Sequence, residues 1–178
     1  MPRDQSVITT YHEAGHAVMA LAGGFMVTEI TNVPDDQGLG YVSWLEPSPH
    51  TTESRIKSVL VSAAGLAADY VHAARNGGGE NEVFLGHFDD QRRASSHLAE
   101  LGDDGQFLVY VQIAAEFFRR PDVWAWVEAF ADLLTKAGTI NGLDLLCRAS
   151  QNVPKLGDDD LEFLKIAVDA SKRGELRK

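Results

Sequence analysis

The chain has 178 residues, 44% of them hydrophobic, which suits one domain with a substantial core and excludes a disordered tail. Its net charge of -10 argues against a nucleic-acid-binding surface, which needs clustered Lys and Arg. The single cysteine, Cys147, excludes an intrachain disulfide and fits a reducing, cytoplasmic setting.

Residues 1–4 lack the basic start and apolar run of a secretory leader. The stretch 7–27 has Glu13 as its one formal charge, but it also holds Thr9, Thr10, Tyr11, two histidines and Gly23-Gly24. It reads as a buried helix over 6–22 rather than a membrane span. Asp4 or Ser6 caps this helix, and the glycine pair ends it. Gly15 costs about 1 kcal/mol relative to Ala and invites close approach of another backbone.

Inside that helix lies His12-Glu13-Ala14-Gly15-His16. Residues four apart stand one turn above each other, so His12 and His16 aim two imidazoles at one point. That is the arrangement by which one helix supplies two ligands to a zinc ion. Glu13 is turned about 100° away, beside the metal and not on it, where a general base stands.

Residues 25–33 are β-rich, 34–38 form a Pro- and Gly-bounded turn, and 39–45 alternate as a second strand. Together they form a hairpin, whose open edge could pair with an extended peptide through Gly40, Tyr41 and Val42. Thr51 or Thr52 opens a long helix whose apolar face is Ile56, Val59, Leu60, Ala63, Ala64, Ala67 and Val71. Its small residues, Gly65 included, suit packing on the first helix. The glycines at 77–79 end it. No Gly-Lys pair occurs, so a Walker A phosphate loop is absent.

Asp89 or Asp90 is the expected cap of a helix ending near Leu101, and helices over 106–119 and 121–137 follow, with Pro121 in a first turn. Phe107, Val111, Ala114, Phe118, Trp124, Val127, Ala131 and Leu134 supply core faces. Asn141 caps a short helix to Ala149, where Cys147 follows Leu143, Leu145 and Leu146 and reads as a packing residue. A last helix spans 158–172, with a basic end at Lys172-Arg173 and Arg177-Lys178. His50, His72 and His97 have no partner spacing and read as surface or satisfied histidines. The fold expected is mainly α, with one small sheet beside the zinc helix.

The stretch Thr10-Tyr11-His12-Glu13-Ala14-Gly15-His16-Ala17-Val18 resembles the peptidase domain of the FtsH family, the ATP-dependent membrane zinc proteases. Weaker likenesses follow in the same order. Leu39-Gly40-Tyr41 resembles the family's strand beside the active site. Ala64-Gly65-Leu66-Ala67-Ala68-Asp69 resembles its Gly-Arg-Ala-Ala-Glu-Glu segment, and Val83-Phe84-Leu85-Gly86 its Val-Phe-Gly. Asp90-Gln91-Arg92-Arg93-Ala94-Ser95 resembles the segment carrying the third zinc ligand, and Thr139-Ile140-Asn141-Gly142-Leu143-Asp144 a stretch near the domain's end.

The resemblance implies an FtsH-like peptidase domain over 1–150 with 151–178 as its helical extension. It also implies Zn²⁺ held by His12, His16 and Asp90, with Glu13 as the base. Asp90 is preferred to Asp89 because it sets Ala94 and Ser95 at the family's offsets, and His87 is a nearby competitor. The family's ATPase module and membrane anchor are not found in the sequence, Leu66 replaces its Arg, and Asp69 its first Glu. The expected activity is therefore endopeptidase cleavage of extended or unfolded chains, with a separate ATPase as partner and a homo-oligomer allowed. A silent peptidase-like binding or assembly module that keeps the zinc site is the alternative. Other His-Glu-x-x-His patterns fit less well: a metzincin needs Gly at Met19 and His at Ala22, and a thermolysin-like enzyme needs a helical Glu downstream.

Overall fold

Helix α1 (Gln5–Ala22) is buried at every residue from Glu13 to Ala22, and the other elements pack around it. The computed structural model describes residues 4–36, 38–77, 87–141 and 143–175. Among these, β1 (Met26–Thr31) and β2 (Tyr41–Leu45) follow α1, then α2 (Thr52–Arg75), α3 (His87–Leu101), α4 (Phe107–Arg119) and α5 (Pro121–Ala137). The two-residue strand β3 (Thr139–Ile140), α6 (Leu143–Asn152) and α7 (Asp158–Lys172) complete the order. The fold is mainly helical with one small antiparallel sheet, as expected from the sequence. No helix among the described residues is long and apolar enough to cross a membrane.

Local chemistry explains most boundaries. Asp4 caps α1 by accepting the Ser6 amide at 2.9 Å. Thr51 and Ser54 form a reciprocal capping box at the start of α2, each side chain taking the other's backbone N–H. Pro121 occupies the first turn of α5, and Gly138, at φ 71°, ends it in a conformation that favours glycine. At the far end of α1, Lys155 donates to the Leu21 carbonyl at 2.7 Å and the Leu156 amide to Ala22 at 3.1 Å. These bonds satisfy carbonyls that a helix terminus leaves without partners.

α1 packs chiefly on α2, with α5 against it as well, while α2 also carries α3 and α4. A Cβ added to Gly15 would lie 2.6 Å from the Ala68 Cβ and 2.8 Å from the Ala64 carbonyl oxygen. Glycine at 15 therefore sets the α1–α2 spacing, as anticipated. Tyr11 fixes the rotation of α1: its ring stacks on His72 at 3.8 Å and faces Trp124 of α5 at 5.9 Å. His72 is accordingly a buried packing residue. The expected α2, α4 and α5 core residues are all buried.

The sheet has the order β2-β1-β3, so β2 is an edge strand, with one side unpaired among the described residues. Val42 pairs with Ile30 and Tyr41 with Thr31, and the β1–β2 register slips between Val27 and Glu29, a bulge that bends the hairpin. Asn32 ties the end of β1 to α1, donating to the Thr10 hydroxyl at 2.7 Å.

Two sequence expectations, on Asp89/Asp90 and on Cys147, are corrected, and the expected small sheet gains a strand. Helix α3 starts at His87, so Asp89 and Asp90 lie in its first turn and do not cap it. Acidic residues favour the first turn for the same electrostatic reason that they favour caps, which is why the two positions look alike. β3 makes the expected hairpin a three-stranded sheet. Cys147 is free and exposed on α6 and not a packing residue, because Leu146, one position away, takes the buried face. The stretch Val83-Phe84-Leu85-Gly86, Gly142, Arg177-Lys178 and the side chains of His87, Leu143, Asp144 and Leu145 lie outside the described residues.

Candidate metal centre

α1 presents His12 and His16 on one face, with ring centroids 4.7 Å apart and planes nearly perpendicular. α3 brings Asp90 to them from 74 positions beyond His16. Its Oδ2 lies 3.0 Å from His12 Nε2 and 3.4 Å from His16 Nε2. Among the described residues this is the one group of three or more His, Cys, Asp or Glu whose donor atoms all fall within 4.8 Å of each other. Asp89 lines the same cleft but is not in this group: it is exposed and pairs with Arg92 at 3.1 Å. Of the two aspartates the sequence offers, Asp90 is the one whose carboxylate stands with both histidines.

The imidazoles are oriented from behind. His16 Nδ1 lies 2.7 Å from the Val61 carbonyl oxygen, which can only accept, so this nitrogen carries the proton. His12 Nδ1 lies 2.8 Å from Asp69 Oδ2 and donates to that carboxylate. In both neutral rings the lone pair is left on Nε2, the atom facing Asp90. Two lone pairs and a carboxylate oxygen converging in a buried space repel each other unless a cation or shared protons lie between them.

The directions of the proton equilibria follow. Burial works against a charged His12, but Asp69 and Asp90 outweigh it and hold its pKa well above the ordinary value. His16 is raised for the same reason by Asp90, against burial. Burial alone would raise the Asp90 carboxyl, yet the two histidines pull it far below the usual carboxylate range. The triad therefore prefers a positive charge in its midst.

A glycine makes room for the two imidazoles themselves. A Cβ built at Gly65 would collide with Nε2 of both His12 and His16. Gly65 thus lets the Nε2 ends of both rings lie against α2, and Asp69, one turn further along α2, supplies the carboxylate behind His12. The donor set of two imidazoles and one carboxylate fits a zinc ion with a fourth position free for substrate or water.

Glu13 is buried beside the triad without joining it. Burial raises its pKa first, His16 and His12 oppose this, Asp90 adds to it and Arg93 lowers it. Gly40 crosses directly above: a Cβ there would lie 2.9 Å from Glu13 Cγ and 2.6 Å from the Thr31 carbonyl oxygen. Glu13, the triad, Gly40, Tyr41 and Val42 line one cleft of about 210 Å³. The sequence-predicted metal, base and edge residues are thereby brought to one place. Sequence reading assigned no site role to Trp44 and Arg93, which also line this cleft, and read Gly65 as packing. The spacing of Gly65 and Asp69, four apart on α2, was the available signal for that supporting pair.

No protein-family profile matches the chain, and no curated protein matches it.

Proposed function

We propose that this chain is a zinc-dependent endopeptidase of the kind its FtsH-like stretches imply. The observation that supports this most is the convergence of His12 Nε2, His16 Nε2 and Asp90 Oδ2 beside a buried Glu13, in a cleft that the edge strand β2 also lines. Zinc held by His12, His16 and Asp90 supplies Lewis acidity, polarising the peptide carbonyl and making water a stronger acid. Glu13 takes the proton from the water that attacks the carbonyl carbon and passes it to the leaving nitrogen as the C–N bond breaks. Asp69 and the Val61 carbonyl keep both imidazoles in the metal-facing tautomer while this happens. The substrate backbone extends along Tyr41 and Val42, adding a strand to the sheet, and Gly40 lets it come close to Glu13.

A narrow cleft with an edge strand suits extended or unfolded chains. Folded substrates then require a separate ATPase, and the exposed thiol of Cys147 suits a reducing cytoplasm. The test is Glu13→Gln. The variant is expected to retain zinc and to cleave casein at least roughly 10²-fold more slowly than wild type. Equal turnover in both would contradict the mechanism. Zinc and peptide binding without cleavage by wild type would identify the silent binding module instead.

A further inference from the structure

Charge is unevenly used around the cleft. Arg93 lies one helical turn beyond Asp90 on α3, so both side chains leave the same face, and both line the cleft. Arg92 is occupied by Asp89 at 3.1 Å, whereas Arg93 makes no ion pair among the described residues. Asp90 is committed to the two histidines. Arg93 is therefore the one Lys or Arg among the described residues lining the cleft, and it is exposed to whatever enters. The remaining wall mixes apolar residues, Ile8, Leu39, Val42 and Trp44, with polar Gln5, Thr9 and Tyr41, and the one further carboxylate on it, Asp89, is paired with Arg92. In a chain of net charge -10, an exposed guanidinium without an ion-pair partner among the described residues thus lines the cleft that holds the triad.

We propose that Arg93 is a specificity residue that takes a carboxylate of the bound peptide within roughly three residues of the scissile bond. The distance follows from one turn of helix plus the reach of an arginine, measured in residues of extended chain. A planar guanidinium meets a carboxylate through two parallel N–H donors, which neither the apolar residues of the wall nor a lysine reproduces. The preferred substrate then combines an apolar side chain, set against Trp44 and Val42, with a nearby acidic group. That group is an Asp or Glu side chain or the peptide's own C-terminus. The inference rests on the peptidase reading, because it is that reading which puts a peptide in the cleft.

Binding is measured on zinc-loaded Glu13→Gln protein, where turnover does not interfere, by fluorescence anisotropy. The probes are labelled peptides with a central Leu, carrying Glu or Gln at each of three positions on either side, and ending in a free acid or an amide. Carboxylate-bearing peptides are expected to bind roughly fivefold tighter or better, with the preference shrinking as salt is raised. Adding Arg93→Gln should abolish the preference, and Arg93→Glu should shift it to Lys-bearing peptides. A Glu-over-Gln preference assigns the partner to a side chain, and an acid-over-amide preference assigns it to the terminus. Equal binding of all peptides overturns the Arg93 inference and leaves the peptidase reading in place. A preference that survives in Arg93→Gln also overturns it. Failure of every peptide to bind removes both readings.

Discussion

Two clusters in this molecule each combine two histidines with one carboxylate, and they are built differently. In the first, His12 and His16 share one helix face, their Nδ1 atoms are held by Asp69 and the Val61 carbonyl, and Nε2 of both faces Asp90. In the second, His50 and His97 meet at Glu46, whose Oε2 lies 3.5 Å from His50 Nδ1 and 3.4 Å from His97 Nε2. Their rings stand 5.2 Å apart, and His97 Nδ1, like Asp69 Oδ1 in the first cluster, is buried with no hydrogen-bond partner among the described residues. The three donors of the second cluster do not converge as those of the first do. Both clusters offer two imidazoles and a carboxylate, while support differs: a metal site needs outer partners that fix the tautomer and a backbone that leaves its ligands room.

Substitutions that attack support and not ligands break or sharpen this contrast. The largest effect is expected from Gly65→Ala. Mid-helix, that change ordinarily stabilises by about 1 kcal/mol. Here the new methyl meets both Nε2 atoms, so zinc binding should be lost, and thermal stability of the metal-free chain should fall instead of rising. Calorimetric zinc titration and a melting curve read both; unchanged affinity would mean the glycine only packs. Next comes Asp69→Asn, which keeps an oxygen to accept from His12 Nδ1 but removes its charge. Zinc affinity should fall roughly 10–100-fold, measured by competition with a chelator. The same substitution in the second cluster, Glu46→Gln, should leave zinc stoichiometry untouched.

The smallest effect concerns proton uptake. Burial lowers the His97 pKa, with Glu46 opposing and His50 and Arg55 reinforcing the shift. The unfolded chain therefore binds this proton first, so stability is lost as pH falls through about 6.5 towards the folded value and is fully present above. His97→Gln should lose less stability than wild type between about pH 7.5 and about pH 5.5, by denaturant midpoints. An identical or steeper loss would show that His97 titrates without burial cost.

Much of the first cluster was legible because it is local. A four-residue spacing on one helix and an apolar run around it specify His12, Glu13 and His16 before any tertiary contact is known. Helices α1, α2, α4, α5 and α7 follow from periodicity and caps in the same way. Asp90 required a family likeness, because contact between residues 16 and 90 leaves no periodic trace. Cys147 was misplaced because neighbouring leucines mask which helix face is buried. The two residues of β3 are too few to alternate. The Glu46–His50–His97 cluster depends on a contact between the end of β2 and α3, which no spacing encodes.

The account rests on Asp90 joining the α1 histidines around a single ion. The direct measurement is zinc content per chain by native mass spectrometry after dialysis at neutral pH against buffered zinc. One zinc is expected in wild type, in Asp89→Ala and in Glu13→Gln, and none in Asp90→Ala. Zinc retained at one per chain in Asp90→Ala, or absent from wild type, would contradict it.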